Sequence, residues 1–301
     1  MPNNDQITYF ITSKDITDFR GLSYTDNSCY VDSVLISLFS PDNNHNVVSN
    51  FFLINIEEDN RLNICSTNAN ISKNIRKLLQ TELQKIYLSI NNLINFKVQN
   101  VDNLRKILKF CSYSENYGDN RMKDPAEFQS YILDMFNIVC TKKYTVYGVQ
   151  STNSLTKLST NYDKFASPVI THILESEISL SNLTSQHEIN TIDFTRNSKK
   201  FTKVLTVIEL IDSPFIIFHI QRKSIRNNFN LTKIKPDEII KLNNKKYKLS
   251  AVIVFNSNHY TTFFKKLNIW YYYDDLKNVL VKSHSKFQIE SKGVLYYYYI
   301  V

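Results

Sequence analysis

The stretch Gly21–Ser40, GLSYTDNSCYVDSVLISLFS, decides how the rest of the chain is interpreted, because a cysteine opens an apolar run within it. Apolar residues then recur at helical spacing, at Val31, Val34, Leu35, Leu38 and Phe39. This spacing predicts a helix that begins near Cys29. Asn27 and Ser28 are good N-cap residues, so the thiol is expected in the first helical turn, where unpaired N–H groups and the helix dipole favour a thiolate. A cysteine beside an apolar face is otherwise a small core residue, and a nucleophile also needs a histidine partner.

Composition places the chain among ordinary globular proteins. It has 301 residues, of which 43% are hydrophobic, enough for one large domain. The N-terminal segment MPNNDQITYF lacks a basic start and an apolar core, and no apolar run approaches the roughly 18 residues of a membrane span. We therefore expect a soluble protein of the cytoplasm.

The spacing of the cysteines bears on two possibilities, a disulfide framework and a zinc site. They show no CxxC pair and no regular spacing, and they are Cys29, Cys65, Cys111 and Cys140. This pattern argues against a disulfide framework and a zinc ribbon, and it favours a reducing compartment. We accordingly expect neither a metal nor another cofactor.

The net charge of +8 is spread over the chain without any nucleic-acid-binding motif. Charge alone indicates a solvated surface. We expect no nucleic-acid partner, no membrane partner and a monomer. With only 4 glycines, asparagines are expected to take many positions of positive φ.

The order of predicted elements gives the fold class. Helical spacing runs from Ser72 to about Ile94 and from Val101 to Cys111, and Asp124, Pro125 and Glu127 form a helix-capping arrangement. Short β-branched and aromatic runs after Cys140 predict strands. They lie near Tyr144–Val149, Val169–Leu174, Val204–Leu210, Phe215–Gln221, Tyr247–Phe255, Tyr260–Lys265, Ile269–Tyr273 and Val294–Val301. Helices first and a sheet second indicate an α+β fold, and the Ser/Thr/Asn-rich region Ser151–Lys200 is expected to be an inserted, solvent-exposed lobe.

A catalytic cysteine needs a base, and the chain offers six histidines: His45, His172, His187, His219, His259 and His284. His219 lies within the apolar strand FIIFHIQR and is most simply a core residue. His259 lies between two predicted strands, where side chains converge at a sheet rim. If the strands Tyr260–Lys265 and Ile269–Tyr273 pair antiparallel, Asp274 returns to the level of His259 and can orient it as a base. The alternative is a hydrogen-bonded hairpin end without catalysis.

Three blocks of sequence resemble the ubiquitin-specific cysteine proteases. NSCYVDSVLISLF resembles their cysteine box, DPAEFQSYILDMF their acidic helix, and SAVIVFNSNHYTTFFKKLNIWYYYDD their histidine box. The segments VLTVIELIDSPFIIFHIQR and GVLYYYYIV are similar to central strands and the final strand of that fold. Within the family, NSCYVDS and DPAEF look closest to the cylindromatosis-type deubiquitinases.

The resemblance implies a papain-like α+β fold with defined parts. They are an N-terminal arm (1–20) and a catalytic domain (21–301), the latter divided into a helical thumb (21–140), a reduced fingers lobe without zinc (141–200) and a palm with a central antiparallel sheet (201–301).

The resemblance also implies roles for named residues. Cys29 would be the nucleophile, His259 the general base and Asp274 the acid that orients it, with Asp275 as a second acid. Asp124 and Glu127 match the acids that hold the basic C-terminal tail of ubiquitin.

The chain departs from the family where the oxyanion is bound. Tyr24 stands where most members have an asparagine, and cylindromatosis-type members lack that asparagine too. The resemblance therefore implies backbone N–H groups around Ser28 and Cys29, helped by Asn27 or Tyr24. Asp26, Ser257 and Asn258 stand where glycines are usual.

The implied activity is cleavage after the C-terminal glycine of ubiquitin, at isopeptide or peptide bonds, with a mild preference for linear or extended lysine-linked chains. The partner would be ubiquitin or polyubiquitin. The alternatives are a ubiquitin-binding scaffold with an impaired site, or a protease for a ubiquitin-like modifier or a viral polyprotein. The bias towards Asn, Ile and Lys and the small size suggest a large DNA virus or similar parasite as the source, which would place the protein in host cytoplasm or a virion.

Overall fold

The fold is that of a computed structural model. It describes residues 21–42, 73–93, 97–111, 117–136, 138, 140–150, 152–173, 178–179, 185–196, 199–222, 229–277, 279–282 and 286–301. The predicted arm, residues 1–20, lies outside the described residues, as do Cys65, His45 and His284.

Helices predominate among the described residues before position 140, as the sequence predicted. They are α1 (Cys29–Phe39), α2 (Lys73–Ile90), α3 (Asp102–Cys111) and α4 (Pro125–Met135), with a short α5 (Lys286–Lys292) near the C-terminus. α1 is buried along its whole length, and α4 begins with Asp124 accepting a hydrogen bond from the Ala126 N–H, the predicted cap. Among the described helices none is both long and apolar enough to cross a membrane.

Strands predominate in the described chain from residue 140 onwards. They are β1 (Cys140–Val149), β2 (Leu155–Ala166), β3 (Val169–Ile173), β4 (Ile178–Ser179), β5 (Ser185–Arg196), β6 (Lys199–Asp212), β7 (Phe215–Gln221), β8 (Ile234–Lys235), β9 (Ile239–Leu242), β10 (Lys245–Asn256), β11 (His259–Lys266), β12 (Ile269–Asp274), β13 (Val279–Lys282) and β14 (Gly293–Ile300). Helices before strands confirm the predicted α+β class.

The larger sheet carries the core of the molecule. Its order is β13-β12-β11-β10-β14-β7-β3, with β9 paired to β10, and its pairs are antiparallel except for β3 with β7. α1 packs on one face of this sheet against β10 and β11. The central strands are therefore buried on both faces, which explains why they are continuous apolar runs.

The smaller sheet contains two strands that the sequence pattern did not predict. Its order is β2-β1-β6-β5, all antiparallel. In β2 and β6 most described side chains are half-buried or exposed. Without one buried face these strands lack apolar alternation, so the Ser/Thr/Asn-rich segment looked irregular in sequence. β6 also runs across residue 200, where the predicted lobe and palm meet.

The run Tyr296–Tyr299 in β14 shows how aromatic residues fill both sides of the sheet. Tyr297 and Tyr299 donate hydrogen bonds to Gln129 Oε1 (2.9 Å) in α4 and to the Ser37 carbonyl (3.1 Å) in α1. Tyr296 and Tyr298 point to the opposite face, where they donate to the carbonyls of Ile289 and Asp237, each at 2.7 Å. Each buried hydroxyl thus has an acceptor, which removes the cost of burying it.

Asparagine replaces glycine in the turns, as predicted from the glycine content. Of the ten described non-glycine residues with positive φ, seven are Asn. Asp26, Ser257 and Asn258, which stand where the family has glycines, have φ of 41°, 50° and 66°. The backbone therefore keeps the left-handed conformation at these positions without glycine.

Leu267 offers a test of turn strain. Leu267 and Asn268 connect β11 and β12 with φ of 49° and 59°, the pattern of a type I′ turn, and leucine is poorly suited to it. Leu267→Asn is expected to raise the free energy of unfolding by about 1 kcal/mol, since a branched residue in this region costs roughly that amount. The Leu267 N–H donates a hydrogen bond to the Asp42 carboxylate. Because the donor is a backbone group, the substitution retains this hydrogen bond. Urea denaturation measures the gain.

Leu231→Asn is the matched control. Leu231 and Leu267 are similarly exposed, at 55% and 51%, but Leu231 is outside the positive-φ set. A gain of the same size at Leu231 would show that removing an exposed leucine, not relieving the turn, is responsible.

Candidate active site

Three elements bring the predicted cysteine, histidine and acid to one place. Cys29 is the first residue of α1, His259 the first of β11 and Asp274 the last of β12. β11 and β12 pair antiparallel with Thr262 opposite Tyr273, which confirms the predicted hairpin. The Thr262 hydroxyl also donates to the Ser33 carbonyl (3.2 Å), and this bond ties β11 to α1. The register of one hairpin and the packing of one helix thus determine the site.

The imidazole of His259 lies between the thiol and two acids. Its Nε2 is 3.0 Å from Asp274 Oδ1 and 3.2 Å from Asp275 Oδ1. Because both acids face Nε2, the other ring nitrogen, Nδ1, is the one available to Cys29. Burial alone would lower the pKa of His259, but its interactions with Asp275, Cys29 and Asp274 raise it to about 10. The ring is therefore an imidazolium at neutral pH.

The two acids hold His259 in different ways. Asp274 makes the hydrogen bond and is itself fixed, because its side chain accepts from the Leu276 N–H (3.1 Å) and the Tyr272 hydroxyl (3.3 Å). Asp275 Oδ1 lies 3.2 Å from the same nitrogen without the geometry of a hydrogen bond, yet Asp275 contributes more to the raised pKa of His259. Only 2% of its side chain is exposed, so its charge is less screened by water. Asp274 therefore orients the ring, and Asp275 adds to its basicity.

Ser28 occupies the N-cap position of α1 without capping it. Its Oγ accepts from the Thr25 N–H (2.9 Å) and donates to Asp32 Oδ2 (2.5 Å). Its own backbone N–H donates to the Thr25 carbonyl (2.9 Å). The Ser28 N–H, which the resemblance implied as an oxyanion donor, is thus engaged in the turn. The Cys29 N–H belongs to the first helical turn, whose N–H groups have no acceptor within the helix.

Tyr24 and Asn27 flank the thiol and bind each other. The Tyr24 hydroxyl donates to Asn27 Oδ1 (3.1 Å) and accepts from the Asn27 N–H (3.0 Å). The Asn27 side-chain amide donates to the Asn120 carbonyl (2.9 Å). The Tyr24 ring meets His259 edge-on, with 6.3 Å between ring centroids. Both residues therefore lie at the site, in a hydrogen-bonded rim.

Asp32 is a buried carboxyl at this site that sequence reasoning missed. It is fully buried on α1, one turn after Cys29. Burial and the nearby charge of Asp275 raise its pKa well above the usual range. The only sequence signal was a charged residue on the apolar face of the helix, between Val31 and Val34.

A cavity of about 730 Å³ lies next to His259, because the neighbouring residues Asn258 and Tyr260 line it, and it contains both predicted tail-binding acids. Asp124 and Glu127 line it at the start of α4, opposite the aromatic side chains of Phe229, Phe255 and Tyr260. Burial raises the pKa of Tyr260, and the charges of Asp124, Cys29 and Glu127 add to this effect. Tyr260, which follows His259 directly in the sequence, thus shares this cavity with the two acids. The cavity therefore combines these two acids with apolar surface, and the basic residues Lys123 and Arg222 also line it.

His219 also lines this cavity, which corrects its interpretation as a core residue. It is half-buried, and its Nδ1 is 3.3 Å from the Thr171 hydroxyl on β3. Burial lowers its pKa, against an opposing effect of the Asp124 charge. Because apolar residues flank His219 on both sides, the sequence of β7 shows no alternation of polar and apolar residues, and a core position was predicted for the histidine.

The other described thiols differ from Cys29 in their surroundings. Burial raises the pKa of Cys111 to about 11 and that of Cys140 to about 12, so both remain protonated thiols of the core.

In the described part of the chain one cluster of possible metal ligands has its ligand atoms within 4.8 Å of one another, namely His259, Asp274 and Asp275. These atoms are the His259 nitrogen and the two carboxylates that contact it.

Comparison with known proteins identifies a family. A family model described as ubiquitin carboxyl-terminal hydrolase matches residues 20–299. Comparison with curated protein sequences finds no significant match.

Solved structures share the fold at low sequence identity. A SAGA DUB module of Ubp8, Sgf11, Sus1 and Sgf73 bound to monoubiquitin matches with TM-score 0.70 and 13% identity, covering 99% of this chain and 73% of the other. The same module bound to ubiquitin aldehyde matches with TM-score 0.65 and 12% identity, covering 94% and 70%. The module described without ubiquitin matches with TM-score 0.61 and 13% identity, covering 94% and 68%. Because the family model spans nearly all of the sequence, the chain belongs to the ubiquitin carboxyl-terminal hydrolase family of cysteine-type ubiquitin hydrolases.

Proposed function

We propose that the protein is a deubiquitinase that cleaves isopeptide or peptide bonds after the C-terminal glycine of ubiquitin, with Cys29 as nucleophile, His259 as base and Asp274 as its orienting acid. The observation that supports these roles most directly is the convergence of the three side chains, with His259 Nε2 at 3.0 Å from Asp274 and its other nitrogen towards the thiol. Asp275 is the second acid.

The chemistry follows from the protonation of His259. The Cys29 thiolate attacks the glycine carbonyl carbon, and the C–N bond breaks as the imidazolium gives its proton to the leaving amine. This leaves a thioester between Sγ and ubiquitin. Neutral His259 then takes a proton from water, the hydroxide attacks the thioester carbonyl, and the C–S bond breaks. Free ubiquitin and the Cys29–His259 ion pair result.

The oxyanion in both steps is bound mainly by the backbone N–H of Cys29 in this proposal. The first-turn N–H groups and the positive end of the α1 dipole favour a negative charge there. Asn27 and Tyr24 form the rim beside it, and a small change in either hydrogen bond lets one of them donate to the oxyanion. Ser28 supports this turn through its bonds to Thr25 and Asp32.

The cavity is proposed to hold the C-terminal tail of ubiquitin. The carboxylates of Asp124 and Glu127 suit basic side chains, and Phe229, Phe255 and Tyr260 suit apolar ones. Tyr260 lines the cavity and is next to His259 in the sequence, so a tail bound here is proposed to reach the thiol past Tyr260.

The finer assignments are also proposals. The sheet β2-β1-β6-β5 corresponds to a short fingers lobe without zinc, within the predicted division into thumb (21–140), fingers (141–200) and palm (201–301). Similarity to cylindromatosis-type enzymes at the cysteine box favours linear or extended lysine-linked chains. A monomer in a reducing compartment, host cytoplasm in the case of a viral source, agrees with the free cysteines among the described residues.

Ubiquitin carrying a thiol-reactive group at its C-terminus tests the function and the tail site together. The wild-type protein is expected to gain the mass of ubiquitin, with peptide mapping placing the adduct at Cys29. Glu127→Lys is expected to slow adduct formation on the order of tenfold or more, because it puts a positive charge where a basic tail binds. Glu238→Lys, at an exposed acid outside the cavity, is the matched control.

The outcomes separate the alternatives. Equal rates for Glu127→Lys and wild type would contradict the tail assignment. Binding of ubiquitin without any adduct would favour a scaffold, for which the presence of Tyr24 in place of an oxyanion asparagine is the supporting observation. Reaction with a ubiquitin-like probe instead of ubiquitin would change the substrate and keep the chemistry.

A further inference from the structure

The turn before the nucleophile is joined to a buried acid. The Thr25 N–H donates to Ser28 Oγ (2.9 Å), and Ser28 Oγ donates to Asp32 Oδ2 (2.5 Å). Asp32 has no solvent exposure. This chain of hydrogen bonds accounts for one carboxyl oxygen of Asp32. The other, Oδ1, has no hydrogen-bond donor among the described residues.

Asp275 is a second buried acid whose carboxyl group lacks hydrogen-bond donors. It is nearly as buried as Asp32, and both of its carboxyl oxygens lack a donor in hydrogen-bond geometry within the described chain. Its position is fixed at the backbone, where its carbonyl accepts from the Tyr24 N–H (3.2 Å). Asp32 and Asp275 lie close enough to hydrogen-bond each other. Two carboxylates in that arrangement would repel each other, whereas one shared proton supplies the missing donor.

We propose that Asp32 is a positioning residue that shares one proton with Asp275, so that the buried pair carries a single negative charge and holds Asp275 against His259. This rests on the proposed function, since it explains how the proposed base is supported. The groups facing the pair are Cys29 on α1, His259 on β11, and Tyr273 and Asp274 on β12. Among them His259 supplies the positive charge, so the ionised member is the one beside it, Asp275, and the proton resides on Asp32.

The shared proton connects the two halves of the site. Through Ser28 it fixes the turn that carries Cys29, and through Asp275 it fixes the acid behind His259. A proton on Asp32 can be replaced by the amide of Asn, which donates to Asp275 and still accepts from Ser28. It cannot be replaced by Leu, which has the same shape without polar atoms.

Carbon-13 NMR of the wild-type protein labelled at the Asp carboxyl carbons tests the proton directly. At pH 7 one carboxyl is expected to show the chemical shift of a protonated acid, and this signal is expected to disappear in Asp32→Asn. In Asp275→Asn the Asp32 side chain is expected to become a carboxylate, because the Asn amide then donates a hydrogen bond to Asp32. A spectrum in which every Asp is a carboxylate at pH 7 would overturn the proposal.

Alkylation of Cys29 by iodoacetamide tests the positioning role without ubiquitin. Asp32→Leu is expected to react on the order of tenfold more slowly than Asp32→Asn at pH 7, since only Asn keeps Asp275 at the imidazolium. Equal rates for two folded variants would overturn the role. The NMR and alkylation results expected here, obtained for a protein that forms no ubiquitin adduct, would support the pair while rejecting the deubiquitinase function.

Discussion

Cys29→Ser is expected to lower kcat/KM for a ubiquitin C-terminal amide at least about 10⁴-fold, because removing the nucleophile leaves only binding and oxyanion stabilisation. The hydroxyl keeps the size of the side chain at a position that is buried, so the fold and the cavity with Asp124 and Glu127 remain. Ubiquitin is therefore expected to bind the variant about as tightly as the wild type. A fluorogenic hydrolysis assay and calorimetric titration measure the two quantities.

Cys111→Ser is the matched control. Cys111 is equally buried, but burial raises its pKa to about 11 and it lies at the end of α3, away from His259. Its substitution is expected to leave kcat/KM within about threefold. Hydrolysis above about one hundredth of wild type in Cys29→Ser would mean that another group is the nucleophile.

Asp274→Asn is expected to lower kcat about 10²- to 10⁴-fold and to change the pH profile, because a neutral amide does not stabilise the positive charge of the His259 imidazolium as a carboxylate does. In the wild type the pKa of His259 is raised from its ordinary value of 6.5 to about 10, so the ring stays an imidazolium up to about pH 10. The alkaline limb of activity is therefore expected near pH 10. Asp274 favours the charged ring, and its removal moves that limb to lower pH. By linkage, the contribution of His259 to folding stability is complete below pH 6.5 and is lost as pH rises through about 10.

A profile of kcat/KM from pH 5 to 10.5 measures this shift. Asp212→Asn, at an exposed acid paired with Lys245, serves as the control and is expected to leave the limb unchanged. An alkaline limb at the same pH in Asp274→Asn and wild type would show that Asp274 does not determine the charge of His259.

Much of the site was visible in the sequence because local rules specify it. The capping pattern at Asp124 predicted α4, and apolar spacing after Cys29 predicted α1. The turn between two aromatic strands predicted that Asp274 would return to His259. Helix periodicity, caps and tight hairpins depend on residues a few positions apart, so a single sequence carries them.

The tertiary structure decided which polar groups meet across distant elements. Asp32 and Asp275 are separated by most of the chain, and their pairing depends on α1 packing against the β11–β12 hairpin. Folding likewise brings His219 on β7 and Asp124 at the start of α4 to one cavity.

The sequence by itself determined the α+β class, the early helices, the central apolar strands and the candidates Cys29, His259 and Asp274. Only the tertiary structure decided the four-stranded sheet with β2 and β5, the direction of β3 beside β7, and the partners of the buried acids. The physical reason is burial. Periodicity reveals a face that contacts one core, but the protonation of a carboxyl depends on every charge and donor that folding brings next to it.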